Sequence, residues 1–209
     1  MKAIVQDRYG SPEVLRFRDV EDPVMGEADV LVRVRAAGCG PDVWHLMTGR
    51  PYFVRLMPGF YKMRAGVRGS DVAGVVQAVG GKVIGFRPGD EVMGEALGSF
   101  AELAIARPEK LARKPARLSF EQAAPVPVSG VTALQALRDV VKLRAGQRVL
   151  VIGAAGGVGT FVVQIAKAFG AEVTGVCGTA KLDLVRSIGA DEVIDYTRED
   201  FTDGTRRGT

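Results

Sequence analysis

Through its first half the chain alternates short apolar runs with glycine, and the runs predict strands at residues 2–6, 30–36, 72–79, 91–93 and 101–106. The turn chemistry agrees. Phe86-Arg87-Pro88-Gly89-Asp90 puts proline and glycine where a tight turn needs them, directly before the strand at Glu91. After Pro115 the period lengthens. Ser119 is placed to cap a helical stretch that runs to Ala124, and Ser129 opens a second one that runs to Leu137. These two helices are expected to bridge a β domain, residues 1–118, and a second domain, residues 119–209. In the second domain, residues 149–152 form a continuous apolar run, as in a parallel strand buried on both faces. Val158, Val162, Val163, Ile165, Ala166 and Phe169 then recur at helical spacing until Gly170. A strand at 172–176, a helix at 181–188 and a strand at 192–195 complete a βαβαβ pattern, one half of a doubly wound, Rossmann-type parallel sheet.

The loop between the first strand and helix of that pattern carries the chemistry. Gly153-Ala154-Ala155-Gly156-Gly157-Val158-Gly159 follows a strand and opens an amphipathic helix, the context in which a glycine-rich loop reads as a dinucleotide site. Glycine lets the backbone approach a pyrophosphate, while free amides and the positive helix end stabilise the anion. Gly159 is expected to allow close packing of helix on strand. An acidic residue at the end of the next strand would accept the ribose hydroxyls of NAD. Cys177-Gly178-Thr179-Ala180-Lys181 offers none, leaving room for a 2′-phosphate with Thr179 as donor and Lys181 as counter-charge. NADP(H) is therefore favoured over NAD.

These motifs, with Met1-Lys2-Ala3-Ile4, Tyr9-Gly10-Ser11-Pro12-Glu13-Val14-Leu15, Gly69-Ser70-Asp71-Val72-Ala73-Gly74-Val75-Val76 and Phe86-Arg87-Pro88-Gly89-Asp90-Glu91-Val92, resemble the medium-chain dehydrogenase/reductase superfamily. The likeness is to its zinc-free, quinone-oxidoreductase-like branch and to proteins described as NAD(P)-dependent alcohol dehydrogenases. It implies an α/β chain, a GroES-like β domain followed by a Rossmann domain, with hydride transfer to a quinone, enone or other carbonyl substrate. It also implies that Asp42, Trp44 and Tyr52 line the substrate cleft, that Thr132 lies near the nicotinamide, and that Tyr196 flanks the adenosine phosphate. Where zinc-dependent members carry Gly-His-Glu this chain reads Gly69-Ser70-Asp71, and its only histidine is His45. Cys39-Gly40-Pro41-Asp42 is similar to the Cys-Gly-Ser-Asp of zinc enzymes, yet without the histidine a ligand set is poorly supplied. No zinc is expected, and Cys39 reads as a small buried hydrophobe. The zinc-free branch often has asparagine where Gly40 stands, so one polar contact is absent here. The alternatives are an alcohol dehydrogenase with a remodelled zinc site, a non-catalytic NADP-binding protein, or an inactive fragment.

Composition narrows the picture further. With 47% hydrophobic and 25% charged residues the chain is an ordinary globular sequence. It has no apolar run of membrane-spanning length and no signal-peptide centre, so a cytoplasmic protein without membrane partners is expected. Cys39 and Cys177 lack disulfide or metal spacing. A net charge of +4 and the cluster Arg107, Lys110, Arg113, Lys114 and Arg117 raise nucleic acid as a partner. The cluster lacks interleaved aromatics, so none is expected. Residues 50–64 are apolar, aromatic, basic and broken by proline, suiting a loop over a substrate pocket or packing on the β domain. A complete doubly wound domain needs a second half, whereas residues 202–209 are polar to the last. The chain thus reads as a truncated product with a partial Rossmann domain, its first strand left as an apolar edge. For the full-length family a homodimer is expected.

Overall fold

The computed structural model describes residues 1–56 and 66–202, which form two compact units, Met1–Val128 and Ser129–Thr209. Most of the 50–64 segment lies outside the described residues.

The first unit is built on antiparallel pairing. Its strands are β1 (Lys2–Gln6), β2 (Leu15–Asp19), β3 (Val30–Ala37), β4 (Gly66–Val67), β5 (Asp71–Val79), β6 (Glu91–Glu95), β7 (Leu103–Ala106) and β8 (Leu111–Arg113). They make a five-stranded sheet in the order β7-β3-β5-β6-β8 and a three-stranded one, β2-β1-β4. Alternation dictates the core. Val30, Val32, Val72, Val76 and Val92 are fully buried on one face, and Phe86, from the proline-glycine turn, packs against them. In that turn Gly89 takes φ +93°, and the Asp90 carboxylate accepts the Arg87 N–H at 3.0 Å. Strand β2 is mostly polar and β4 and β8 have only two and three residues, so the apolar pattern does not announce them.

Helix α1 (Pro41–Thr48) follows β3 and ends at Gly49 in the left-handed region. Helix α2 (Phe120–Ala123) starts at a capping box, Ser119 and Gln122 each accepting the other's backbone N–H. Its Ala123 and Ala124 are buried against Ala73 of β5, which is why the first unit extends to Val128. The basic cluster is largely paired with acids of this unit, Arg107 with Asp29, Lys110 with Glu95, Arg113 with Asp90 and Lys114 with Glu91. Each of those four cations thus has a carboxylate partner within the unit.

Helix α3 (Pro127–Gln135) begins at the unit boundary and passes into a π-helical turn, Ala136–Val140. Beyond it come β9 (Arg148–Ile152), α4 (Gly157–Ala168), β10 (Glu172–Cys177), α5 (Leu182–Ser187) and β11 (Glu192–Asp195). The strands are parallel in the order β11-β10-β9, the 3-2-1 half of a Rossmann sheet. Val163 and Ala166 of α4, Val185 of α5 and Val151 and Val173 of the sheet share one core. Among the described residues no helix is long and apolar enough to cross a membrane.

The expectation that β9 is buried on both faces is corrected. Val151 is buried, but Leu150 and Ile152, on the opposite face, are 50% and 67% exposed, and β10 is the only strand paired with β9 among the described residues. A continuous apolar run marks a strand whose second face awaits cover, and no described element covers that face here. Covering either side chain is worth about 1.5–3 kcal/mol, so Leu150→Gln with Ile152→Thr is expected to weaken self-association of this polypeptide at least about ten-fold in light scattering.

Candidate functional site

The glycine loop is shaped by its own backbone. Gly153 leaves β9 at φ +77°, and its amide and that of Ala154 both donate to the Val176 carbonyl at 3.0 Å, tying the loop to β10. Ala154 is buried in the core, Gly156 donates to the Gly153 carbonyl at 2.9 Å, and Gly156 then serves as the N-cap of α4 with no side chain to satisfy the first turn. The Thr160 N–H reaches back to the Gly156 carbonyl at 3.0 Å, so the amides of Gly157, Val158 and Gly159 precede the helix's own bonding. Gly159 is locked by contact: a Cβ there would stand 2.1 Å from the Gly153 oxygen. Ala155 is half-buried between these turns. Beside the loop lies Ser129, whose hydroxyl would be 3.3 Å from a Cβ on Gly157. Thr132 is one turn further along α3 and exposed. The sequence offered Ser129 only as a helix-start residue.

At the carboxyl ends of β10 and β11 the predicted adenosine residues converge, with one correction. Thr179 is not a free donor. Its hydroxyl gives its proton to Asp195 Oδ2 at 2.5 Å, and the same carboxylate accepts the Thr197 N–H at 3.0 Å and hydroxyl at 2.7 Å. Asp195 is buried, and the bonds from Thr179 and Thr197 hold its carboxyl below the usual range. Arg198 Nε lies 3.7 Å from it. Tyr196 is exposed and leans over Gly178, where a Cβ would be 3.4 Å from its Oη, while Lys181 is exposed in the 3-10 turn Thr179–Lys181. Cys177 is buried in the core with its thiol pushed up by burial, so it meets the site only through its backbone, its carbonyl accepting the Tyr196 N–H at 3.2 Å. Asp195 had no sequence signal as a site residue, because its role depends on two threonines from different loops.

In the first unit the structure brings Trp44 and Tyr52 together and sets Asp42 apart. Both aromatics are exposed and line a cavity of about 340 Å³ with Tyr9, Thr48, Arg50 and Arg55. The Arg55 guanidinium stacks 4.7 Å from the Tyr9 ring and 4.8 Å from the Tyr52 ring, and donates to the carbonyls of Gly49 and Thr48. Asp42, in the first turn of α1, instead accepts the Ser70 hydroxyl at 2.9 Å. His45 is spent on the Arg50 carbonyl at 2.7 Å and stands edge-on to Trp44. Cys39 is exposed, against the expectation of a buried hydrophobe, because it lies in the loop between β3 and α1 rather than within the strand. Among the described residues no three His, Cys, Asp or Glu side chains are grouped to hold a metal ion.

Two family models match, the alcohol dehydrogenase GroES-like domain over residues 26–116 and the zinc-binding dehydrogenase family over residues 157–209. Quinone oxidoreductase from Pseudomonas aeruginosa is 39% identical over 95% of this chain and 62% of its own length. The chain belongs to the medium-chain dehydrogenase/reductase superfamily. Within the superfamily it stands in the quinone-oxidoreductase-like branch. Tomato 2-methylene-furan-3-one reductase is 38% identical over 97% of this chain and 54% of its own. The Escherichia coli quinone oxidoreductase, solved in complex with NADPH, superposes with a TM-score of 0.83 at 32% identity, over 96% of this chain and 60% of that one. The chain spans between 54% and 62% of the length of the curated relatives it matches. Its first unit is thus the superfamily's GroES-like β fold, and its second a Rossmann-type parallel sheet.

Proposed function

We propose that this chain binds NADPH and takes part in zinc-free reduction of a quinone, enone or related carbonyl compound. The observation that carries the reading is the loop 153–159, closed so tightly that a side chain at position 159 would fill the space between loop and helix, with three amides of the α4 first turn ahead of the helix's own bonding. That arrangement suits a diphosphate. The backbone amides of Gly157, Val158 and Gly159 would hold it, Tyr196 would cover the adenosine, and Lys181 would meet the 2′-phosphate. Bound NADPH supplies the hydride.

The chain's own part is binding and orientation. Without a metal, the substrate oxygen must be polarised by hydrogen-bond donors, and the Tyr52 hydroxyl and the guanidinium of Arg50 are the candidates at the first unit's cavity. Trp44 offers that cavity a flat apolar wall. Thr132, beside Ser129, is the candidate for contact with the nicotinamide. What supports the substrate class is the company the sequence keeps, whose members are described as reductases of quinones and of an enone.

Titration of the chain with NADPH, followed by quenching of Trp44 fluorescence or by nucleotide fluorescence, tests the reading. Saturable binding in the micromolar range is expected, with NADPH oxidised when a quinone is added. Binding without quinone-dependent oxidation would favour a purely nucleotide-binding role, and absence of binding would sink the proposal.

A further inference from the structure

Helix α3 begins without a cap of its own. Its first residues are Pro127, Val128 and Ser129, and Val126 in front of them has no side-chain acceptor for the first-turn amides. The acceptor comes from a residue 57 positions earlier, as Asp71 Oδ1 takes the Val128 N–H at 3.0 Å. Asp71 opens β5, is 4% exposed, and is held in place from both sides. Its carbonyl accepts the Gly38 N–H at 3.1 Å, and a Cβ on Gly38 would come within 2.7 Å of the Asp71 Cβ, so the carboxylate has little freedom to leave.

We propose that Asp71 is a positioning residue, an acid-sensitive cap that fixes the first turn of α3 and with it the start of the helix that bears Ser129 and Thr132. A carboxylate at a helix N-terminus accepts an amide and opposes the helix dipole, and both effects are strongest when it is ionised. The charged groups that face it add nothing to hold that charge. They are Asp42 of α1, which is occupied with Ser70, and Glu95 of β6, its cross-strand partner, which pairs with Lys110 at 3.1 Å. Burial, and after it these two carboxylates, push Asp71 up to about 6, against the pull of the Val128 amide. The cap is therefore charged above that pH and neutral below it, within the range where cells and assays operate. The folded chain as a whole binds this proton more tightly than the unfolded one, so acidification favours the global fold while loosening this local contact. The two effects have opposite sign, which makes them separable.

Hydrogen exchange resolved to the segment 127–135, corrected for intrinsic rates, tests the cap on the chain as it stands. Protection at Val128 and Ser129 is expected to fall about three- to ten-fold between pH 8 and pH 5. Asp71→Asn, which keeps an acceptor and loses the charge, is expected to show the lower protection at both pH values and to melt at a higher temperature than the native chain at pH 8. Asp71→Ala is expected to lose protection further where it folds. Equal protection at pH 8 and pH 5 in the native chain, or an Asp71→Asn variant indistinguishable from native at pH 8, would overturn the assignment. Neither readout depends on nucleotide binding, so the proposal can fail while the NADPH reading stands, and the reverse.

Discussion

Gly159→Ala is expected to abolish NADPH binding and to lower the melting temperature of the second unit, a larger effect than any other single methyl group added to the loop. The new Cβ would lie 2.1 Å from the Gly153 oxygen, 2.9 Å from its carbonyl carbon and 3.0 Å from the Ala154 Cα, all of them backbone. Neither side can yield cheaply. The Gly153–Ala154 backbone is held by two hydrogen bonds to Val176, and α4 by its packed residues Val163 and Ala166. Overpacking against mobile side chains costs about 1–3 kcal/mol, and against fixed backbone the expected cost is at the top of that range or above it. A loop displaced by even an ångström no longer aims its amides at one anion. Gly153→Ala meets open space but must adopt φ +77°, at a cost of about 1–2 kcal/mol. Gly157→Ala meets only the Ser129 hydroxyl at 3.3 Å, which can rotate away. The order of damage expected from thermal melts and NADPH titration is therefore 159, then 153, then 157. A Gly159→Ala chain that binds NADPH like the native one would show that the loop is not a diphosphate cradle.

That ranking illustrates what was legible in the sequence. Short apolar runs located β1, β11 and the cores of β3, β5, β9 and β10, most plainly β3, where Val30 and Val32 are buried alternately, and the glycine loop was legible because strand, loop and helix are contiguous. Features made by residues distant in the chain were not. Leu150 and Ile152 look like core residues in any local pattern, and their exposure depends on what stands on the second face of the sheet. Helix α1 was missed although Pro41 and Gly49 bracket it, since eight residues with two buried, Val43 and Met47, make a weak stripe. Asp71 reads as the residue just ahead of a strand at 72–79, and only the fold brings Val128 to it. Thr179 reads as an available hydroxyl, and only the parallel pairing of β10 with β11 brings Asp195 within reach.

The capture of Thr179 bears on cofactor choice, and Lys181→Glu is expected to weaken NADPH about 30- to 100-fold while changing NADH affinity less than about three-fold. With the Thr179 hydroxyl committed to Asp195, recognition of a 2′-phosphate falls chiefly on cations. The need for them is increased by Asp195 itself, a carboxylate kept ionised by Thr179 and Thr197, whose charge would repel a phosphate placed nearby. Charge-assisted bonds are worth about 1.5–3 kcal/mol, and reversal replaces attraction with repulsion, which gives the expected factor. Asp195 could in principle serve a ribose hydroxyl instead, favouring NADH, but it would then have to release hydrogen bonds from two threonines, and burial leaves it little room. The two possibilities respond differently to salt. Attraction between Lys181 and a phosphate is screened, so NADPH affinity should fall as ionic strength rises from about 0.01 to 0.15 M, where the screening length shrinks from about 30 to 8 Å. NADH affinity should change much less. Fluorescence titrations of both nucleotides at two salt concentrations, native against Lys181→Glu, decide the matter, and equal losses for the two nucleotides would remove Lys181 from the phosphate site.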